Sequence, residues 1–156
     1  MRRKALQVKR RAGDLGLLVL DYLQLCSGDG DNRNAEVEQI SRGLKALAKE
    51  LGFAVLALSQ LNREVEKRSD REPQLSDLRD SGAIEQDIDA AVMLWTAREP
   101  SEGPRLVGWK VPKHRGGRKG RFGMWFDAPV YGWSEAPGEL PMPGAGRASS
   151  NGGGFE

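Results

Sequence analysis

Residues 16–25, GLLVLDYLQL, decide the fold. An unbroken apolar run ends abruptly in an acid, Asp21, fenced by Gly13, Asp14 and Gly16 before it and by SGDGDN after it. Such a run between turn residues is the pattern of a buried parallel strand. Open α/β sheets bind ligands at the carboxyl ends of their strands, so Asp21 reads as the acidic end of a nucleotide site. It reads equally as an acid that starts a turn after a core strand.

Beyond the polar loop SGDGDNRN, Val37, Ile40, Leu44, Leu47, Ala48 and Leu51 recur at helical spacing, which predicts a helix with one apolar stripe. Asn34 is its expected N-cap, Glu36 and Glu38 suit its first turn, Lys49 its last, and Gly52 its end. FAVLALSQ, residues 53–60, is a second apolar strand that ends in polar residues. Strand, helix, strand is a βαβ unit, with a right-handed crossover and parallel strands. Neighbouring parallel strands put their carboxyl ends on one sheet edge, so Asp21 and Gln60 are expected to face the same crevice.

The chain has 156 residues, enough for one domain with a core. Its net charge is only +2, but the charge is clustered. Arg2, Arg3, Lys4, Lys9, Arg10 and Arg11 crowd the start, and Lys110, Lys113, Arg115, Arg118, Lys119 and Arg121 crowd a later stretch. Two basic patches on a nearly neutral chain suit a polyanion better than a membrane. One cysteine, Cys26, and one histidine, His114, exclude an intramolecular disulfide framework and a cysteine- or histidine-rich metal cluster. No apolar run approaches membrane-spanning length, and the basic start has no signal-peptide core behind it. The expected location is cytoplasmic.

Residues 1–12 read as a basic helix stopped by Gly13, with nothing before it to begin a domain, so the chain is expected to open in the middle of one. Residues 61–85 read as a long charged loop broken by Pro73, of the kind that carries function. A short helix over 84–89 and a third strand, AAVMLW, follow. Residues 105–111 and 121–126 read as two strands joined by PKHRGGRKG. From Gly132 onward Pro, Gly and Ser dominate, as in a disordered tail. Trp95, Trp109, Trp125 and Trp133 suit core or hairpin packing; His114 reads as a spacer and Cys26 as inert.

Four blocks, LGLLVLDYLQL, SRGLKALAKELGFAVLALSQLNREVEKR, LSDLRDSGAIEQDID and KHRGGRKG, occur in this order. Together they resemble the C-terminal motor domain of DnaB-type replicative DNA helicases, over about residues 2–134. The resemblance implies a partial RecA-like (P-loop NTPase) α/β core with a mostly parallel sheet and a C-terminal hairpin. The expected organisation is a distal motor part over 1–134 and a disordered tail over 135–156. It also implies ATP and Mg2+ as cofactors, single-stranded DNA as partner, a hexameric ring, and primase and a helicase loader as further partners.

Position by position, Asp21 resembles the Walker B acid that holds Mg2+ through water, a role suited to a hard cation bridging phosphate oxygens. Gln60 resembles the sensor amide that bonds a γ-phosphate or the attacking water. Lys113 and Arg115 resemble the basic pair offered across a subunit interface to the neighbour's nucleotide. Alternating along an extended segment, both would project to one side and could neutralise charge on a transferring phosphoryl group. Pro112 departs from the small non-proline residue expected there and removes a ladder donor. Arg118 and Lys119 replace an uncharged stretch. Arg79, Asp80 and Gly82 match the family's DNA-contacting loop, with Asp80 where Glu is usual. Arg79 beside a flexible glycine suits a backbone phosphate and salt-sensitive binding, while Ser81 and Glu85 also suit a helix start.

The family's phosphate cradle, G-x-x-x-x-G-K-[ST], is absent in any register, because the sequence has no Gly-Lys dipeptide. The family's catalytic Glu lies upstream of the Walker B strand, in sequence this chain lacks. The expectation is therefore the C-terminal part of an ATP-dependent replicative helicase, inactive by itself. The alternatives are a non-catalytic DNA- or helicase-binding half-motor and a relative among RecA-like recombination ATPases.

Overall fold

The computed structural model describes residues 2–68, 71–78, 81–138 and 140, apart from the side chains of 81 and 83. They form two compact units, one of residues 2–62 and 75–89, the other of 63–74 and 90–140.

The first unit is built around a βαβ element. Helix α1 (Arg2–Ala12) is stopped by Gly13, whose φ of +81° costs glycine little. Strand β1 (Leu17–Leu20) leads through a 3-10 turn (Leu23–Leu25) to α2 (Arg33–Leu51), and Gly52 at φ +72° releases the chain into β2 (Ala54–Ala57). β1 and β2 are adjacent and parallel, with Leu17 opposite Ala54 and Leu20 opposite Ala57. The apolar stripe of α2, including Val37, Ile40 and Leu44, is buried with Leu23 and Ile84 against Leu18, Leu20 and Val55. Ala5, Leu47, Leu51 and Phe53 bury a second cluster beside it. Lys9 Nζ donates to the Leu51 carbonyl, so α1 supplies a cation to the last turn of α2.

The N-cap of α2 is Asn32, not Asn34: its side chain accepts from the Ala35 N–H at 3.0 Å, and the helix starts at Arg33. The preceding loop is pressed onto the helix. A Cβ at Gly30 would meet the Glu36 nitrogen at 2.5 Å, so glycine is needed for that close approach.

In the second unit a short helix α3 (Glu64–Lys67) precedes a meander of β3 (Ala90–Arg98), β4 (Arg105–His114), β5 (Gly120–Asp127) and β6 (Gly132–Glu135). All of its pairings are antiparallel. The α/β class holds, but among the described residues parallel pairing is confined to β1 and β2, short of a mostly parallel sheet. Short connections between consecutive strands dictate the antiparallel order. On one face of this sheet Trp95 lies over Gly108, where a Cβ would run into the indole.

β6 begins where the sequence reads as tail. Trp133 packs against Phe126 and Trp109, which draws Gly132–Glu135 into the sheet. Ala136 beyond it is buried, so the 134/135 boundary falls inside packed structure. The rest of the expected tail, 139 and 141–156, lies outside the described residues. Among the described residues no helix is long and apolar enough to cross a membrane.

Candidate functional site

Asp21 follows the last residue of β1 and is exposed, as is Gln60 beyond β2. Both therefore stand at the carboxyl edge of one parallel pair. Beyond the strands, the Leu58 N–H donates to the Leu20 carbonyl at 2.9 Å, and the Leu23 N–H donates to the Leu58 carbonyl at 2.8 Å. One residue of the β2 extension thus grips the chain on both sides of Asp21–Tyr22, leaving Asp21 at the tip.

The segment carrying Gln60 is held by Gln24 of the 3-10 turn. Gln24 Nε2 donates to Ser59 Oγ at 2.9 Å, and Gln24 Oε1 accepts from the Gln60 N–H at 3.3 Å. Gln24 is itself fixed, because the Arg33 guanidinium donates to the Gln24 carbonyl at 2.6 Å and to the Cys26 carbonyl at 3.0 Å. The start of α2 therefore braces the turn after β1, and that turn braces the end of β2. Sequence reading passed over Gln24 and Arg33. The only signal was a polar residue between the leucines of LQL.

Just past Gln60, Leu61 forms an antiparallel bridge with Leu78, and the Asn62 N–H donates to the Asp77 carbonyl at 2.7 Å. The residue after the candidate sensor is thus paired to the residue before Arg79. Arg79 and Asp80 themselves lie outside the described residues. Gly82 is the second residue of α4 (Ser81–Asp87), exposed, with nothing within 4 Å of a Cβ placed on it. The short helix runs over 81–87 rather than 84–89, and its Ile84 is buried.

Lys113 and Arg115 belong to the second unit. Lys113 lies in β4 opposite Ala91, whereas Arg115 lies in the turn beyond the strand, so the two do not share an extended segment. Pro112 explains a bulge. Between the pairs Ala91–Lys113 and Met93–Lys110, β3 has one residue and β4 has two, Val111 and Pro112. A residue without an N–H is best placed where the ladder is interrupted. His114, between Lys113 and Arg115, packs across the turn, since a Cβ at Gly117 would run into its imidazole.

At the base of this hairpin Lys110 and Arg121 are direct cross-strand partners, a repulsive pairing by itself. Glu72, only 12% exposed, bridges them, with Lys110 Nζ at 2.8 Å and an Arg121 nitrogen at 2.6 Å. Burial pushes the Glu72 carboxyl up, but the two cations outweigh it and hold the group below its ordinary range.

Among the described residues no three His, Cys, Asp or Glu side chains gather as a metal-holding group. Asp21 offers a single carboxylate. That donor suits a hydrated Mg2+ shared with phosphate oxygens, not a cation caged by protein alone.

The family model for the DnaB-like helicase C-terminal domain matches residues 1–134. The replicative DNA helicase DnaB of Geobacillus stearothermophilus is 44% identical over 132 residues, covering 81% of this chain and 29% of the relative. That of Pasteurella multocida is 46% identical over 131 residues, covering 81% and 28%. Among solved structures, one ATPase domain aligns with a TM-score of 0.75 at 36% identity, over 86% of this chain and 50% of that one. A DnaB-like replicative helicase described with its primase interactions aligns at 0.70 and 39%, over 81% and 32%. The chain spans less than a third of the length of these curated relatives. It belongs to the DnaB-like helicase C-terminal domain family.

Proposed function

We propose that this chain is the distal part of the motor of an ATP-dependent replicative DNA helicase. The observation that carries the reading is the β1–β2 edge, where Asp21 and Gln60 stand together and Leu61 is bridged to Leu78. In this reading Asp21 would hold Mg2+ through water, and the ion would supply charge neutralisation to the transferring phosphoryl group. Gln60, fixed through its backbone by Gln24, presents its amide to the γ-phosphate or the attacking water. Lys113 and Arg115 serve a neighbouring subunit's nucleotide in a ring. Arg79, Asp80 and Gly82 contact single-stranded DNA through its backbone, and the Leu61–Leu78 bridge ties that loop to the sensor strand. Primase and a loader are the protein partners of this reading.

The phosphate cradle and catalytic base lie in the upstream part of the motor. The outward face of the β1–β2 sheet supports that division, since Leu17, Val19 and Leu56 are 51 to 55% exposed there. An apolar strip of this kind is a packing surface for more chain. The reading predicts that the purified chain has no ATP turnover. ATP turnover abolished by Asp21→Ala would contradict it.

A further inference from the structure

Beyond Leu58 the parallel pair runs out of backbone partners, and one side chain takes over. Parallel strands exchange hydrogen bonds at even spacing. The Ala54 N–H donates to the Gly16 carbonyl at 3.0 Å, and the Leu58 N–H donates to the Leu20 carbonyl at 2.9 Å. In the same step the Gln60 N–H would meet the Tyr22 carbonyl. That carbonyl is already engaged, because the Leu25 N–H donates to it at 3.0 Å where the chain enters its 3-10 turn. Gln24 Oε1 accepts from the Gln60 N–H instead, at 3.3 Å, and Gln24 Nε2 donates to Ser59 Oγ at 2.9 Å. The side-chain amide therefore stands where a peptide group would stand in a longer strand.

This substitute rung bears on the geometry of the edge. Continued by one residue, the strand register sets Leu58 opposite Asp21, and Gln60, two residues further, on the same side of the pair. Asp21 and Gln60 share that side only while residues 58–60 keep step with β1. On the far side of Gln60, the bridge from Leu61 to Leu78 holds the chain. On the near side the Gln24 amide does so. Gln24 is itself fixed from α2, since Arg33 reaches both the Gln24 and the Cys26 carbonyls and is paired with Glu36 at 2.5 Å. A planar guanidinium fork suits two such acceptors at once.

We infer that Gln24 is a positioning residue for the nucleotide edge. Its amide sets the spacing between Asp21 and the Gln60 side chain, and through that spacing the discrimination of a nucleoside triphosphate from a diphosphate. The inference rests on the nucleotide reading of Asp21 and Gln60; the substitute rung rests on the hydrogen bonds alone.

The test has two arms. In the whole isotope-labelled chain, Gln24→Ala and Gln24→Met should lower the order parameter of the Gln60 amide from the rigid level of about 0.85 to below about 0.6, with Val55 left rigid. Gln24→Met keeps the length of the side chain and removes both hydrogen bonds, so it separates the rung from packing. Gln24→Glu keeps the acceptor and should leave Gln60 rigid. An unmoved Gln60 amide in both the alanine and methionine variants would overturn the inference. The second arm joins this chain behind the part of the Geobacillus stearothermophilus relative that precedes its matching region. There Gln24→Ala and Gln24→Met should lower kcat by up to about a hundredfold, the scale of a small misplacement at a reacting centre. The preference for ATP over ADP should fall with it, while ADP binding stays unchanged. Loss of ADP binding together with turnover would show a merely structural role and count against the inference. If Asp21→Ala leaves turnover of the joined protein intact, the nucleotide reading itself fails. If Asp21→Ala abolishes turnover while the Gln24 variants turn over and select ATP as wild type does, only the positioning role fails.

Discussion

The two units solve the same problem, burying one face of a small sheet, with unequal success. In the first, two strands of four residues each are covered by α2 on one side only, and no described strand flanks the pair. In the second, four consecutive strands complete one another's ladders, and Leu106 at their centre is wholly buried. A parallel pair needs crossover partners from distant sequence, whereas a meander needs only its own turns. The candidate nucleotide edge lies in the less complete unit, and the candidate finger lies on the more complete one.

Removing the centre of the meander sharpens this contrast most. Leu106→Ala leaves a cavity and should cost about 2–5 kcal/mol. All the tryptophans, Trp95, Trp109, Trp125 and Trp133, belong to the second unit. Their fluorescence transition should therefore fall, while the helix transition followed by circular dichroism stays in place. Parallel falls in both would show that the units unfold as one.

Glu72→Gln should have the next effect. It removes the charge between Lys110 and Arg121 and turns one of the two accepting oxygens into a donor, where hydrogen bonds to a charged group are worth about 1.5–3 kcal/mol each. The folded-state pKa of Glu72 is depressed, so its contribution is present above the unfolded value of about 4.3. It is lost as pH falls through the folded value. The gap in fluorescence midpoint between wild type and variant should accordingly close on acidification. A gap independent of pH would contradict the bridge. Asn32→Ala should cost least, about 1 kcal/mol from the loss of an N-cap, and should appear only in the helix transition.

The βαβ element was legible because periodicity of 3.6 and continuous apolar runs are local signals, and Val37, Ile40 and Leu44 fill the core they promised. The shared edge of Asp21 and Gln60 followed from topology. The cap was misplaced because Asn32 and Asn34 are both good caps, and only the loop packed by Gly30 chooses between them. Gln24, Arg33 and Glu72 were illegible for another reason. Gln24 and Glu72 act on residues far away in sequence, Arg33 acts on backbone carbonyls across a loop, and a polar side chain in a polar stretch does not announce its partner. β6 was hidden by its Gly and Pro neighbours, although Trp133 and its aromatic partners hold it in the sheet.

The central claim is that the β1–β2 edge is half of a nucleotide site. It is tested most directly by joining this chain in frame behind the part of the Geobacillus stearothermophilus relative that precedes its matching region, and measuring ATP turnover. The account predicts turnover in the joined protein, none in the chain alone, and a loss of about a hundredfold or more with Asp21→Ala, as for removal of a group that supports transition-state charge. Turnover by the joined protein that is indifferent to Asp21→Ala would contradict it.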